Sequence, residues 1–319
     1  STGRDAVYNW GMFSFEEPNL VGKFIKGRLT YWLDDRFSFR STIRQYGHEN
    51  RTLAEQELNL TASQKLKLVQ MVQENARPEN RAYRYDYFRD NCSTRVRDVI
   101  DKVTDGALHD ISKGPATLTY RGETLRMTAD TLYGYLLLDH AMGSFIDQPV
   151  TLWDQMFVPA KVQRMLREVK LKDSSGQIVP LVRRERQLLT ADRPAELESP
   201  PNRTLSMAAA GILLGLVGGG LVWLGLGKKR DGSEAGLVRR LALTVPMFLL
   251  SLVTGVVGSI LLFFWVGTDH QVAWHNENLL LTSPITLAMP VIAVGVAMGR
   301  PWARKAFLRL ADILAVMAV

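Results

Sequence analysis

Three uninterrupted apolar runs in the last third of the chain restrict what it can fold into more than any other feature. They are Leu205–Gly227 (LSMAAAGILLGLVGGGLVWLGLG), Leu241–Val266 (LALTVPMFLLSLVTGVVGSILLFFWV) and Leu279–Met298 (LLLTSPITLAMPVIAVGVAM). A helix needs about 20 apolar residues to cross the hydrocarbon core of a bilayer, and each run meets that length. A fourth apolar stretch opens near residue 303 and continues to Val319, so a bundle of three or four transmembrane helices is expected. The loops carry the orientation. Lys228, Lys229, Arg230, Arg239 and Arg240 lie between the first two runs, and Arg300, Arg304, Lys305 and Arg309 follow the third. The stretch Gly267–Asn278 has neither Lys nor Arg. Cytoplasmic loops are the ones enriched in Lys and Arg. The basic loops therefore face the cytoplasm, and an odd number of crossings puts residues 1–203 on the other side.

The first part of the chain is polar and mixed. It reads as one cored domain over 1–190, followed by a proline-rich linker over 191–203 (ADRPAELESPPNR) and the membrane region over 204–319. The net charge of +7 is spread over both parts. It forms no basic block, so no nucleic-acid partner is expected. Within the domain, Ala6–Phe15 reads as a strand and Asn19–Leu33 as a helix capped by Asn19. Phe37–Tyr46 and Thr52–Leu60 alternate like strands, and Tyr83–Phe88 reads as extended. Thr61–Ala76 is an amphipathic helix with a Thr61/Gln64 capping box and a Leu66, Val69, Val72 face. Thr117–Thr128 reads as turn-rich. Asp130–Gly143 and Asp154–Val169 read as helices, with a turn at Ser174–Gln177.

Cys92 is the only cysteine. It stands in YFRDNCSTRVRDVI, where Asp90 or Asn91 fits an N-cap and Val96, Val99, Ile100 and Val103 recur at helical spacing. A thiol at a helix N-terminus is favoured as thiolate, the nucleophilic form. Arg89 and Arg95 add positive potential, and Asp90 opposes it. An unpaired cysteine outside the cytoplasm is an oxidation liability, since cysteines there usually pair. A small buried hydrophobe on the helix's apolar face is the other reading of the same residue. Trp32, Tyr87 and Phe88 are placed either to shape an apolar groove or to fill the core.

Four separated motifs carry a resemblance. They are YNWGMFSFEEPNLVGKFIKGRLTYWL, YFRDNCSTRVRDVID, GSFIDQPVTLWDQMFVPAKV and TDHQVAWHNENLLL. Together they resemble the Lnb N-terminal periplasmic domain family, whose namesake is a bacterial lipoprotein N-acyltransferase. The Asn-Cys helix start also resembles the lecithin:retinol acyltransferase group. The resemblance implies an α+β fold of permuted papain-like (NlpC-type) cysteine type, a periplasmic domain anchored in the bacterial inner membrane, and no cofactor or metal. It implies a phospholipid acyl donor, a lipoprotein acceptor and a Cys92 thioester. Cys92, Asn91, His270 and His275 are then the catalytic candidates, and Tyr8, Arg89, Arg95 and Asn276 the substrate-binding candidates.

One element of that pattern is missing. The resemblance implies a histidine in a Gly-His motif upstream of the first strand, and the chain starts at Ser1 without it, so it reads as truncated. The histidines present are His48, His109, His140, His270 and His275. The last two lie in the loop that also holds Asp269, Trp274, Asn276 and Asn278, which is expected to fold against the cysteine domain. That loop reads either as a functional polar cluster or as an interfacial anchor. Asp269, His270 and His275 supply no third strong ligand for zinc. A cysteine peptidase or amidase, or a catalytically inactive tethered domain, stands as the alternative to an acyltransferase.

Overall fold

The computed structural model describes residues 6–226 and 236–317. The basic cluster Lys228, Lys229 and Arg230 lies outside the described residues, as do Ser1 and Val319. In chain order the first elements are β1 (Val7–Met12), α1 (Leu20–Ile25), β2 (Thr30–Phe37), α2 (Phe39–His48), β3 (Leu53–Leu58), α3 (Ala62–Asn75), β4 (Ala82–Arg84) and α4 (Cys92–Val103). There follow α5 (Ala107–Ile111), α6 (Tyr120–Met127), α7 (Leu132–Ala141), α8 (Leu152–Gln155), α9 (Pro159–Glu168), β5 (Lys170–Lys172), β6 (Ile178–Pro180) and β7 (Val182–Leu189). The last elements are α10 (Thr204–Leu226), α11 (Leu237–Gly267), α12 (Met289–Ala297) and α13 (Pro301–Met317).

The chain forms two compact units that do not follow chain order. One holds residues 1–127 and 147–199; the other holds residues 128–146 and 200–319. The segment carrying α7 thus belongs with the membrane helices.

The first unit is a mixed α/β domain. An antiparallel sheet runs β1-β2-β4, β3 pairs with β7, and β5 with β6 forms a hairpin. In the sheet, Trp10 pairs with Leu33 and Tyr31 with Tyr83, which puts Trp10, Tyr31, Leu33, Tyr83 and Tyr85 on one face. That face packs Val72 of α3 and Cys92 and Val99 of α4. A second core gathers Ile100 and Val103 from α4 with Leu108, Met156, Val162, Leu166 and Leu181. Helix α4 therefore lies between two cores, its first turn on the tyrosine-rich sheet and its last turn on the α5/α9 side.

Several elements differ from the pattern in the sequence. Asn19–Leu33 is a six-residue helix, not a long one. The chain turns at Gly27, and the aromatic and β-branched run from Thr30 forms β2. Asn19 adopts left-handed backbone angles and makes no side-chain cap. Phe37–Tyr46 is helix α2 rather than a strand, because Ser38 and Ser41 form a capping box that starts it. Thr117–Thr128 contains helix α6, which buries the Glu123–Arg126 ion pair. The Thr61/Gln64 box does start α3, but Leu66 and Val69 are exposed and the buried edge runs through Leu68, Met71 and Val72.

In the second unit three runs are long and apolar enough to cross a membrane: Thr204–Leu224, Leu237–Gly267 and Glu277–Ala297. The third is not one regular helix. It opens with two 3-10 turns, Glu277–Leu279 and Pro284–Ala288, the second started by the Ser283 hydroxyl, before α12 begins. Helices α12 and α13 share a core of Met289, Ile292, Val296, Ala303, Phe307 and Leu310.

Candidate functional site

Cys92 is the first residue of α4, and the residue before it fixes it there. The Asn91 carboxamide oxygen accepts from the backbone N–H of Ser93 at 2.8 Å and of Thr94 at 2.9 Å. The Thr94 hydroxyl accepts from the Asn91 N–H at 2.8 Å, completing a capping box. The Asn91 amide nitrogen donates to the carbonyls of Tyr87 at 2.9 Å and Phe157 at 3.0 Å. Every hydrogen-bonding site of the side chain is used and the residue is 4% exposed. Asn91, expected as a catalytic group, is thus a positioning residue that sets where the helix and its thiol begin.

The thiol faces strand β1. Gly11 stands in a register irregularity between Trp10 and Met12 with φ +109, a conformation that favours glycine. A Cβ built there would stand 3.2 Å from the Cys92 Cβ and 3.9 Å from Sγ. Gly11 therefore lets the strand pass close to the thiol without covering it, and Cys92 is left partly accessible.

Electrostatics at the site run against the sequence-based expectation. Burial pushes the Cys92 thiol above its ordinary value, and the N–H groups of Ser93 and Cys92, then Arg51, lower it by less. Three tyrosines surround it on the sheet face. Tyr31 and Tyr85 rings lie 4.3 Å apart and Tyr31 and Tyr83 rings 6.4 Å apart. All three phenols are held above their usual range by burial and then by the nearby Cys92. They are therefore neutral hydrogen-bond donors at physiological pH. The Tyr83 hydroxyl is buried without a partner. No motif marked these tyrosines; only the β2–β4 register brings them to one face.

The remaining expected residues are placed as follows. Tyr8 on β1 packs at the edge of the Trp10 cluster. Arg95 donates through Nε and Nη2 to the two Asp90 carboxylate oxygens, at 2.5 and 2.6 Å, and its guanidinium lies 4.3 Å over the Tyr83 ring. Arg89 and Arg95 line a cavity of about 430 Å³ with Trp10, Asn75 and Lys102; Cys92 does not line it. Phe88 is core, stacked on Tyr120 at 4.5 Å, whereas Tyr87 is exposed. His48 is the exposed last residue of α2, and His109 meets the Trp153 ring edge-on at 4.9 Å.

His270, His275 and Asn276 belong to the other unit. The His270 ring is buried 5.5 Å from the Phe264 ring, and the His275 ring lies 5.2 Å from Trp265. Asn276 is 1% exposed. Its amide donates to the carbonyls of His140 and Ala141, each at 3.0 Å, and its oxygen accepts from the Asn278 N–H at 3.0 Å. Asn276, expected as a substrate contact, thus ties the loop to the end of α7. The loop packs on residues 128–146, and these cluster with the membrane helices.

A cysteine at a capped helix start and an antiparallel sheet laid against it, followed along the chain by apolar spans, define an α+β cysteine domain joined to membrane helices. Residues 2–124 match the Lnb N-terminal periplasmic domain and residues 236–319 match the Lnb transmembrane domain. The chain belongs to the Lnb family: a membrane protein with an N-terminal periplasmic part. Comparison with curated proteins returned no match, and comparison with solved structures returned none either.

Proposed function

We propose that the protein is a bacterial inner-membrane acyltransferase that carries an acyl chain on Cys92 from a phospholipid to the N-terminal amine of a lipoprotein. The observation that carries this reading is the thiol itself: first residue of a capped helix, partly accessible, with a glycine where any side chain would crowd it. In the first half-reaction Sγ bonds to the ester carbonyl carbon and the ester C–O bond breaks. The thiol proton ends on the departing lysophospholipid oxygen. In the second, the amine bonds to the thioester carbonyl and the C–S bond breaks, which restores the thiol with a proton from the amine. Each half passes through an oxyanion, and buried neutral phenols are suitable donors to it. Tyr83, with an unpartnered hydroxyl, is the first choice for that donor. The raised thiol means that a base, or desolvation by the bound lipid, must draw off the proton before attack. The permuted papain-like architecture implied by the resemblance is consistent with a cysteine helix on an antiparallel sheet, and membrane spans in the same chain suit a reaction between two lipid substrates.

The test is mass spectrometry of lipoprotein N-termini in cells that depend on the full-length gene. Cys92→Ser is expected to abolish N-acylation at unchanged protein level. Unchanged N-acylation in that variant overturns the mechanism. Loss of a peptide- or amide-cleaving activity instead would make the protein a cysteine peptidase or amidase.

A further inference from the structure

We propose that α7 lies in the plane of the membrane, with Leu132, Tyr133, Leu136 and Leu137 immersed in the periplasmic leaflet. Helix α7 is ten residues long, about 15 Å, and residues 131–138 (TLYGYLLL) carry no charge. These four side chains fall within one stripe of about 140° on a regular helix. All four are exposed, Tyr133 at 78% and Leu137 at 67%. A water-facing stripe of that composition is costly, because apolar side chains are favoured on leaving water and a contiguous exposed apolar patch marks a contact surface.

The occupant follows from what holds the helix. Its first half is fastened to the start of the first membrane span. Arg203, the residue before α10, donates to the Ala129 carbonyl at 3.0 Å, and its guanidinium lies 4.9 Å over the Tyr135 ring. The Tyr135 hydroxyl donates to the Pro201 carbonyl at 3.5 Å. Its far end is fastened to the segment between α11 and α12. Asn276 and Asn278 donate to the carbonyls of His140 and Ala141, and the His140 ring bonds the Thr282 hydroxyl at 2.9 Å. Just past the helix the Gly143 N–H donates to the Val272 carbonyl at 2.8 Å. A side chain at Gly143 would strike the Trp274 carbonyl, so this approach requires glycine.

Both fastening points are membrane boundaries on the same side of the bilayer. One is the outer end of α10, and the other is the loop without Lys or Arg. A helix tied at both ends to boundary residues of different spans runs along the surface rather than away from it. An apolar stripe at that depth meets headgroups and the first acyl carbons, as in interfacial helices. Buried Tyr135 lies on the opposite side, against the protein.

The single cysteine makes the test direct. In a Cys92→Ser background, Tyr133→Cys and Leu137→Cys are spin-labelled in the full chain and reconstituted into phosphatidylethanolamine/phosphatidylglycerol vesicles. Leu66→Cys on α3 and Leu249→Cys on α11 serve as the water and lipid references; both parent residues are exposed. Both α7 labels are expected to match Leu249: high collision with oxygen, low collision with a water-soluble nickel chelate. Fluorophores at the same positions should be quenched by lipids with a nitroxide near the headgroup end of the acyl chain. Nickel collision at the Leu66 level would place the stripe in water and overturn the proposal. Protection from oxygen and nickel alike would mean that protein covers the stripe, and overturns it equally. If either variant elutes abnormally, Leu136→Cys on the same stripe replaces it.

Discussion

Two buried asparagines, Asn91 in the cysteine unit and Asn276 in the membrane unit, do the same physical work and leave opposite surroundings. Each carboxamide accepts backbone N–H on its oxygen and donates both amide hydrogens to carbonyls. Around Asn91 the result is a helix start with a half-accessible thiol at its first residue and neutral phenols beside it. Around Asn276 the result is a closed seam between a loop and the end of α7, in which the His140 ring is itself bonded to the Thr282 hydroxyl. Polar residues clustered beside a nucleophile motif and polar residues clustered beside a bilayer thus look alike in sequence. What separates them is whether the clamp leaves an open group next to it.

Breaking both clamps is the largest effect we expect. Asn91→Ala and Asn276→Ala each strand buried N–H and C=O groups, at roughly 1–3 kcal/mol per group left unpaired. Both variants should lower the thermal midpoint by several degrees. Only Asn91→Ala should also change the alkylation rate of Cys92 in the native protein, because only there does the clamp set the thiol's position. Equal alkylation changes in the two variants would erase the distinction between the two regions.

Gly11→Ala is a smaller perturbation of one side only. It puts a methyl group 3.2 Å from the Cys92 Cβ, closer than ordinary van der Waals contact, and asks alanine to adopt φ +109. Strain of that kind costs on the order of 1–3 kcal/mol. N-acylation should fall sharply, while the midpoint shifts less than in Asn91→Ala. Unimpaired N-acylation in Gly11→Ala would mean that, in the proposed reaction, substrate reaches the thiol from another side.

The smallest effect concerns protons. Since burial raises the Cys92 thiol, its alkylation by iodoacetamide should rise with pH and reach half its limit at a higher pH in the native protein than in the unfolded chain. The sign for stability follows. The folded state favours the protonated thiol, so that contribution is complete below the ordinary thiol value and is lost as pH climbs through the raised one. A half-point below that of the unfolded chain would show that the helix N-terminus outweighs burial.

Much of this protein is written locally. The three spans, the Asn91 start of α4 and the Thr61/Gln64 start of α3 depend on runs and spacings within one segment, and a reader of the sequence recovers them. Local pattern also misleads. The alternation over Phe37–Tyr46 yields to the Ser38 capping box, and the apolar spacing of Asn19–Leu33 spans a turn and a strand. Leu66 and Val69 have helical spacing yet face outward, since only contact with α4 and the sheet decides which edge of α3 is buried.

By itself, the sequence determined which segments are long and apolar enough to cross a bilayer, where the cysteine helix begins and that these 319 residues hold one cysteine. These are matters of length, capping and count. Only the tertiary structure decided what meets the thiol. Tyr31, Tyr83, Tyr85 and Gly11 come from three strands whose register no segment encodes alone. The fold likewise assigned α7, far from the spans in sequence, to the membrane unit. Burial is a sum over distant neighbours, so the direction in which the Cys92 thiol shifts is a property of the packed fold and not of its motif.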